Sequence, residues 1–271
     1  MTQTHAPSGN SIRCAHTRDE VPDSRAFHMH AHDGYELLLF LSGRGDYLVE
    51  STGYPLCPGC ALLMRPGEVH CLRVNAAEPY ERMVLHFRRE EAEEWLLAPF
   101  EQRPLGIGNL FTADEVDPAF VRGCMERLIT DAPPDRLNTV LLSALLAEFC
   151  RAFARRAPAP AVSEGDHSRI RDILDYVNNH LGDDLSLDGL CARFFISRAQ
   201  LGRLFRASTG STVWEYILVK RLIEARRLIL GGTPALEAAH ACGFQDYSAF
   251  YRAYKKRYRL SPTDDRRRLS E

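Results

Sequence analysis

The absences in this 271-residue sequence narrow its class first. No apolar run reaches the roughly 18 residues that a membrane-spanning helix needs, so no membrane partner is expected. The first residues, Met1 to Pro7, lack the basic-then-apolar order of a secretory leader. The eight cysteines are scattered rather than paired in a framework. Together these absences predict a cytoplasmic chain whose thiols stay reduced. Low-complexity sequence is confined to an Ala/Pro stretch within 157–166 and a short arginine run, Arg266 to Arg268. A large excess of one charge sign is missing too, with a formal net charge of −2. That near-neutrality averages two unlike regions. From Ser163 onward there are 18 Lys and Arg against 14 Asp and Glu, and in the rest 16 against 22. An acidic body with a basic tail suits a protein whose C-terminal region alone meets a polyanion.

What is present is ordinary globular material, 45% apolar and 26% charged, long enough for two domains with separate cores. Short apolar or alternating runs at 36–41, 46–50, 61–64 and 82–87 are separated by Ser42-Gly43, Thr52-Gly53, Cys57-Pro58-Gly59 and Pro66-Gly67. This spacing predicts a small barrel or jelly roll over 12–90. Helical periodicity follows over 91–156, strongest at 137–153, with Pro133-Pro134 dividing two helices. The Ala/Pro stretch at 157–166 resists helix and sheet alike and reads as a linker. From 167 to 268 the pattern is helical throughout, at 170–181, 187–194, 198–208, 213–230, 235–242 and 247–258.

Within this C-terminal helical region, a pair of helix-turn-helix patterns follow one another. Each has a short apolar helix, a capped turn (Ser197, Asp246) and a second helix carrying Arg or Lys. In the first, Leu201, Leu204 and Phe205 must face the core, leaving Arg198, Ala199, Gly202, Arg203 and Arg206 outward. In the second, Phe250 and Tyr254 anchor inward, leaving Tyr247, Ser248, Ala249, Arg252, Lys255 and Lys256 outward. Such helices fit a DNA major groove about 12 Å wide. Arg203 and Arg252 are placed for bidentate contacts to guanine. Arg206, Lys255, Lys256 and Arg257 lie further along, where phosphates are nearer. A single basic stripe is ordinarily a solvated face; two, each behind a capped turn, are harder to dismiss.

Residues 167–268 resemble the DNA-binding domain of the AraC/XylS family of bacterial transcription regulators. The resemblance is carried by the segment from Cys242 and Gly243 through Arg252 and Lys256 to Ser261 and Pro262, and by Leu185, Ser197, Leu201, Phe205 and Gly210 in the first unit. It implies binding of promoter DNA in successive major grooves, homodimerisation, and a contact with RNA polymerase if the protein activates. The chain departs from the pattern at Ala235 and Ala238, where large aliphatics are usual, at Gly202, and at Arg259, where glycine is usual.

A second cluster lies near the N-terminus. His30 and His32 share a face on a strand, Glu36 has the same parity if no bulge intervenes, and His70 can come from a facing strand. His28 would substitute for one of them if the register slipped by two. Three imidazoles and a carboxylate can hold a divalent transition metal with open positions. They can equally line an effector pocket without metal, or be surface histidines. The spacing is similar to the two metal motifs of the cupin superfamily, except that Pro66 and Gly67 are adjacent where that pattern separates them. The resemblance implies a cupin-like domain that binds a small effector such as a sugar. The pair Cys57 and Cys60 reads as the occupant of a hairpin turn rather than a zinc or redox site. Residues 137–153 either cover the barrel or form a dimer seam, since an apolar stripe suits both.

The expected fold class is therefore α+β: a cupin-like barrel followed by helices, then an all-α domain with two helix-turn-helix motifs. The expected function is effector-responsive transcription regulation without enzymatic turnover. Its rivals are a metal-dependent cupin oxygenase or isomerase fused to a DNA-binding module, and a direct sensor of metal or redox state.

Overall fold

The computed structural model describes residues 2–5, 12–22, 29–50, 52–74, 78–130, 135–156 and 166–267. His28, Pro133, Pro134 and the linker residues 157–165 lie outside them. The chain divides into two compact units, Met1–Ser163 and Glu164–Glu271.

Among the described residues, the first unit holds nine strands in two sheets. Strands β1 (Thr2–His5), β2 (Arg13–Asp19), β3 (Tyr35–Ser42), β6 (Ala61–Met64), β8 (Tyr80–Phe87) and β9 (Leu110–Phe111) form one sheet, in the order β1-β2-β8-β3-β6-β9. Strands β4 (Gly45–Val49), β5 (Thr52–Leu56) and β7 (His70–Val74) form the other, in the order β5-β4-β7. Side chains alternate across a strand with period two, and β3 shows what each face meets. Leu37 and Leu39 pack with Phe100, Val121, Leu142 and Phe149 of the covering helices. Leu38 and Phe40 pack with Tyr47, Leu62, Leu72 and Val84 inside the barrel. A strand buried on both faces reads as a continuous apolar run, which is why 37–41 lacks visible alternation.

Helices α1 (Glu94–Glu101), α2 (Pro118–Thr130) and α3 (Asp135–Ala154) share one core with the six-stranded sheet. The expected division at residue 90 therefore does not separate two cores. Helix α3 is long and apolar enough to cross a membrane by length and composition. Its Leu142, Leu145, Leu146 and Phe149 instead sit in the core of the first unit.

A buried ion pair braces the turn before β7. Glu68 is fully buried, and Arg103 donates to both its carboxylate oxygens at 2.6 and 2.8 Å. The same guanidinium donates to the carbonyls of Leu63 and Ile107 and to Asn109 Oδ1, each at 3.0 Å. Burial alone would push the Glu68 carboxyl up, but Arg103 and the surrounding donors hold it below the usual carboxylate range. Gly67 takes φ +78° in this turn, a conformation that side chains with a Cβ rarely adopt.

The second unit is helical: α4 (Asp166–Asn179), α5 (Leu187–Phe194), α6 (Arg198–Thr209), α7 (Val213–Leu230), α8 (Ala235–Ala241), α9 (Tyr247–Tyr258) and α10 (Pro262–Arg267). The two turn caps behave as the sequence predicts. Ser197 accepts from Gln200 N in a capping box, and Asp246 accepts from Ser248 N and Ala249 N. Ala238 is fully buried against α7 residues Leu222, Ala225 and Ile229, so the small side chains of α8 close its core without large aliphatics. Arg259 stands at φ 60° in the C-cap of α9, and Phe195 at φ 52° in the C-cap of α5. Each holds a left-handed conformation that costs about 1–2 kcal/mol in any residue but glycine.

Arg221, buried on α7, joins the two helix-turn-helix units. Its guanidinium donates to the carbonyls of Leu181 at 2.9 Å and Asp183 at 2.7 Å, ahead of α5, and to Gly243 O at 2.9 Å in the turn before α9. A Cβ at Gly243 would stand 2.6 Å from Arg221 Nη2 and from Leu181 O, so this glycine makes room for the bridge. Arg221→Met should remove three charge-assisted hydrogen bonds and leave the buried Gly243 carbonyl unpaired, costing about 3 kcal/mol. The measurement is urea unfolding, with a lower midpoint and an unchanged m-value. A midpoint unmoved by the substitution would show that Arg221 braces nothing.

Candidate effector site and nucleic-acid interface

The N-terminal cluster assembles at one end of the barrel interior. His30 sits outside the named strands and forms an isolated bridge with His70, the two exchanging backbone hydrogen bonds of 3.0 and 2.7 Å. His32 follows in a loop and Glu36 lies on β3, so the expected single strand through His30, His32 and Glu36 is broken by the bend at Asp33 and Gly34. The side chains meet nonetheless: donor atoms of His30, His32, Glu36 and His70 lie within 4.8 Å of one another. Glu36 is buried, with Oε2 2.7 Å from His32 Nε2 and 3.5 Å from His70 Nε2. Its Oε1 accepts from Tyr47 Oη at 3.0 Å.

His86 is a member of the cluster that the sequence motifs do not reveal. It stands directly opposite Glu36 in the β3–β8 register, with Nε2 3.0 Å from Glu36 Oε2 and 3.4 Å from His32 Nε2. Its parity in the run 82–87 places it on the face of Val84, but only the register shows that this face meets Glu36.

Tautomers follow from the backbone. The Glu68 carbonyl, 2.8 Å from His70 Nδ1, can only accept, so Nδ1 carries the hydrogen. His70 Nε2 is then turned into the cluster, buried, and without a hydrogen-bond partner among the described residues. Burial pushes the Glu36 carboxyl up, but His70, His32 and His86 together hold it well below the usual carboxylate range. Burial likewise pushes His70 down, and the neighbouring Glu36 more than reverses this, leaving its pKa raised. A buried imidazole nitrogen and a buried carboxylate oxygen inside a ring of further imidazoles form a donor set that fits a divalent transition metal.

Cys57 and Cys60 flank a turn closed by Cys60 N donating to Cys57 O at 2.9 Å. Burial pushes the Cys60 thiol up to about 11, while Cys57 is exposed.

In the second unit Leu201 and Phe205 of α6, and Phe250 and Tyr254 of α9, are fully buried. Ala199, Arg203 and Arg206 are exposed on α6, and Ser248, Ala249, Arg252, Lys255 and Lys256 on α9. Gly202 is half-buried, and a side chain there would meet nothing within 4 Å. Two of the expected outward residues are otherwise engaged. Tyr247 is half-buried and packs its ring on Phe250. Arg198 is exposed but pairs with Asp188 of α5, Nε to Oδ1 at 2.7 Å. Tyr254 Oη donates to Asp265 Oδ2 at 2.7 Å, and Arg226 of α7 donates to the same carboxylate, so α10 ties α9 to the central helix. Neither α10 nor Arg221 is visible as a framework element in the sequence.

Residues 17–150 match the AraC-like ligand binding domain family, and residues 190–268 match a helix-turn-helix domain family. The HTH-type transcriptional activator RhaS of Yersinia pseudotuberculosis serotype I (strain IP32953) is 26% identical over 259 residues, 90% of each chain. RhaS of Yersinia pestis bv. Antiqua (strain Angola) is 24% identical over 257 residues, again 90% of each. Among solved structures, ToxT from Vibrio cholerae O395 covers 94% of this chain and 96% of its own at 15% identity, with a TM-score of 0.39. A ligand-binding domain and a DNA-binding domain of AraC type in series, with relatives aligned along nine-tenths of the chain, make this protein a member of the AraC family, an effector-responsive transcription regulator.

Proposed function

We propose that this protein is a cytoplasmic, homodimeric activator that reads promoter DNA with α6 and α9 and takes its signal at the histidine cluster. The observation that carries the DNA-reading half is the pair of exposed basic helices fixed to one shaft, α7, by Arg221 and by the Asp265 network. Arg203 and Arg252 are assigned to base edges. Arg206, Lys255 and Lys256 are assigned to phosphates, with Ala199, Gly202, Ser248 and Ala249 lining the approach. Arg198 reaches DNA only if it leaves Asp188.

The dimer reading rests on α3. Its buried side faces the core, while Leu137, Val140, Ala144 and Ala147 recur along another side, with Val140 62% exposed. A second copy of the same stripe is its natural cover. As an activator the protein would then contact RNA polymerase. No turnover is assigned to the cluster, because its relatives are regulators of transcription.

A chain of buried contacts within the first unit supports the signalling half. His70 is fixed to the Glu68 carbonyl, the Glu68 carboxylate grips Arg103, and Arg103 holds Ile107 O and Asn109. Arg156, the last described residue before the linker, donates to Gly108 O at 3.0 Å and to Glu115 Oε1 at 2.7 Å, and also to Leu110 O. Its guanidinium lies 4.1 Å from the Phe111 ring centroid. A ligand that draws on His70 thus pulls on the same loop that anchors the start of the linker.

Two outcomes test this reading. Arg252→Ala should relax specificity at one base pair, costing about 1–3 kcal/mol there, whereas Lys255→Ala/Lys256→Ala should weaken all sequences alike and lower the salt slope by about two. Binding titrations on a selected site and its single-base variants at several salt concentrations measure both. A uniform loss for Arg252→Ala would make it a phosphate contact. Arg156→Ala should leave DNA affinity without effector nearly unchanged and abolish the effector-induced change. An intact response in that variant would exclude Arg156 from the coupling.

A further inference from the structure

Four donors follow from the histidine motifs, and β8 adds a fifth. Glu36 Oε1 is taken by Tyr47, so the three imidazole nitrogens at 2.7, 3.0 and 3.5 Å crowd the single oxygen Oε2. That oxygen offers about two lone-pair directions. His32 Nε2 and His86 Nε2 are 3.4 Å apart. If both carry hydrogens toward Oε2, two N–H dipoles crowd each other; if either does not, its lone pair opposes the carboxylate. His70 Nε2 turns toward the same centre from a fully buried position. One cation among these atoms converts every such repulsion into an attraction. The spacing agrees with this: donors about 2.0–2.1 Å from one ion and at right angles to each other stand about 3 Å apart. The separations among Glu36 Oε2, His32 and His86 are 2.7, 3.0 and 3.4 Å, so His86 adjoins the four mutually close donors through these two neighbours.

We propose that His86 joins His30, His32, Glu36 and His70 as a fifth protein donor to one divalent transition-metal ion, and that this ion is itself the effector. Five protein donors leave one position of an octahedron, against two or more in a site that must also seat an organic ligand. Leu38, Phe40, Leu62, Leu72 and Val84 pack the barrel interior on which the cluster sits. The way in is the rim, where the side chains of His32 and His86 are 34% and 40% exposed. Four imidazoles with one carboxylate suit Ni2+, Co2+, Fe2+ or Zn2+; Mg2+ and Ca2+ take oxygen-rich sites. The second half of the proposal rests on reading the first unit as the effector-sensing domain.

The test uses the full chain, stripped with a chelator and titrated with Co2+ and Ni2+ against a competing chelator. Promoter affinity is measured in parallel with and without metal. Wild type should bind one ion per chain with a ligand-field spectrum in the Co2+ form and change its affinity for DNA. His86→Ala should bind at least about 10–100-fold more weakly, the loss expected when even an outer partner of a metal site is removed, and with an altered spectrum. His16→Ala, a half-exposed histidine paired with Glu81 away from the cluster, is the control and should match wild type in both. An unchanged affinity and spectrum for His86→Ala would overturn its role as a ligand. Metal binding that leaves DNA affinity unmoved would overturn the ion as effector. No metal bound, with DNA affinity instead answering to an organic compound and lost in His70→Ala, would overturn this inference and leave the proposed function standing. Absence of any specific DNA site would remove the proposed function itself.

Discussion

A guanidinium taken out of water on helix α7 is costly unless hydrogen-bond acceptors surround it. Arg221 meets that condition with three carbonyls drawn from both helix-turn-helix units, those of Leu181, Asp183 and Gly243. The constraint is mutual: those carbonyls must stay where the guanidinium reaches them, so the segments leading into α5 and α9 are held at a set separation. The rest of the DNA-reading unit depends on it. The basic faces of α6 and α9 are useful together only if their separation matches that of successive major grooves, about 34–36 Å along the duplex. The Arg226–Asp265–Tyr254 network secures the C-terminal half of the shaft by the same means, a buried charge surrounded by partners.

The first unit repeats this physics with opposite sign. Glu36 is a buried carboxylate whose compensation comes from imidazoles and one phenol. Glu68 is another, compensated by Arg103 and Asn109. The two lie on either side of His70, one facing its Nε2 and the other fixing its Nδ1 through a carbonyl. The His70 imidazole is therefore attached to the buried polar network of Glu68, Arg103 and Asn109. A change at the cluster has a physical route to loop 103–110 and onward to Arg156 without passing through the apolar core.

Much of this is legible in the sequence, and the reasons differ by element. Helices 187–194, 213–230 and 247–258 agree with the structure residue for residue, because each begins beside a strong cap or turn signal and keeps an apolar face. Strands are harder. Strand β5 begins at Thr52 and Gly53, which read as a turn, and contains Pro55, yet it is an edge strand, where proline is tolerated. Strand β7 hides behind His70 and Arg73, polar residues in a short segment. At the site, His30, His32, Glu36 and His70 follow from motif spacing. His86 does not, because it joins through cross-strand register between segments some fifty residues apart. Arg103, Arg156 and Arg221 are invisible for a related reason. A lone arginine in sequence reads as surface charge, and only tertiary structure reveals the carbonyls that make it a bolt.

The central claim is that α6 and α9 read two successive grooves of one duplex as a rigid pair. The most direct measurement is the affinity of the protein for its selected site before and after inserting about 5 base pairs, half a helical turn, between the two contacted segments. Because Arg221 and α7 fix the separation, the account predicts a fall of about a thousandfold, toward non-specific binding. Affinity that survives the insertion within a few-fold would contradict it, showing that one helix carries recognition alone or that the two move independently.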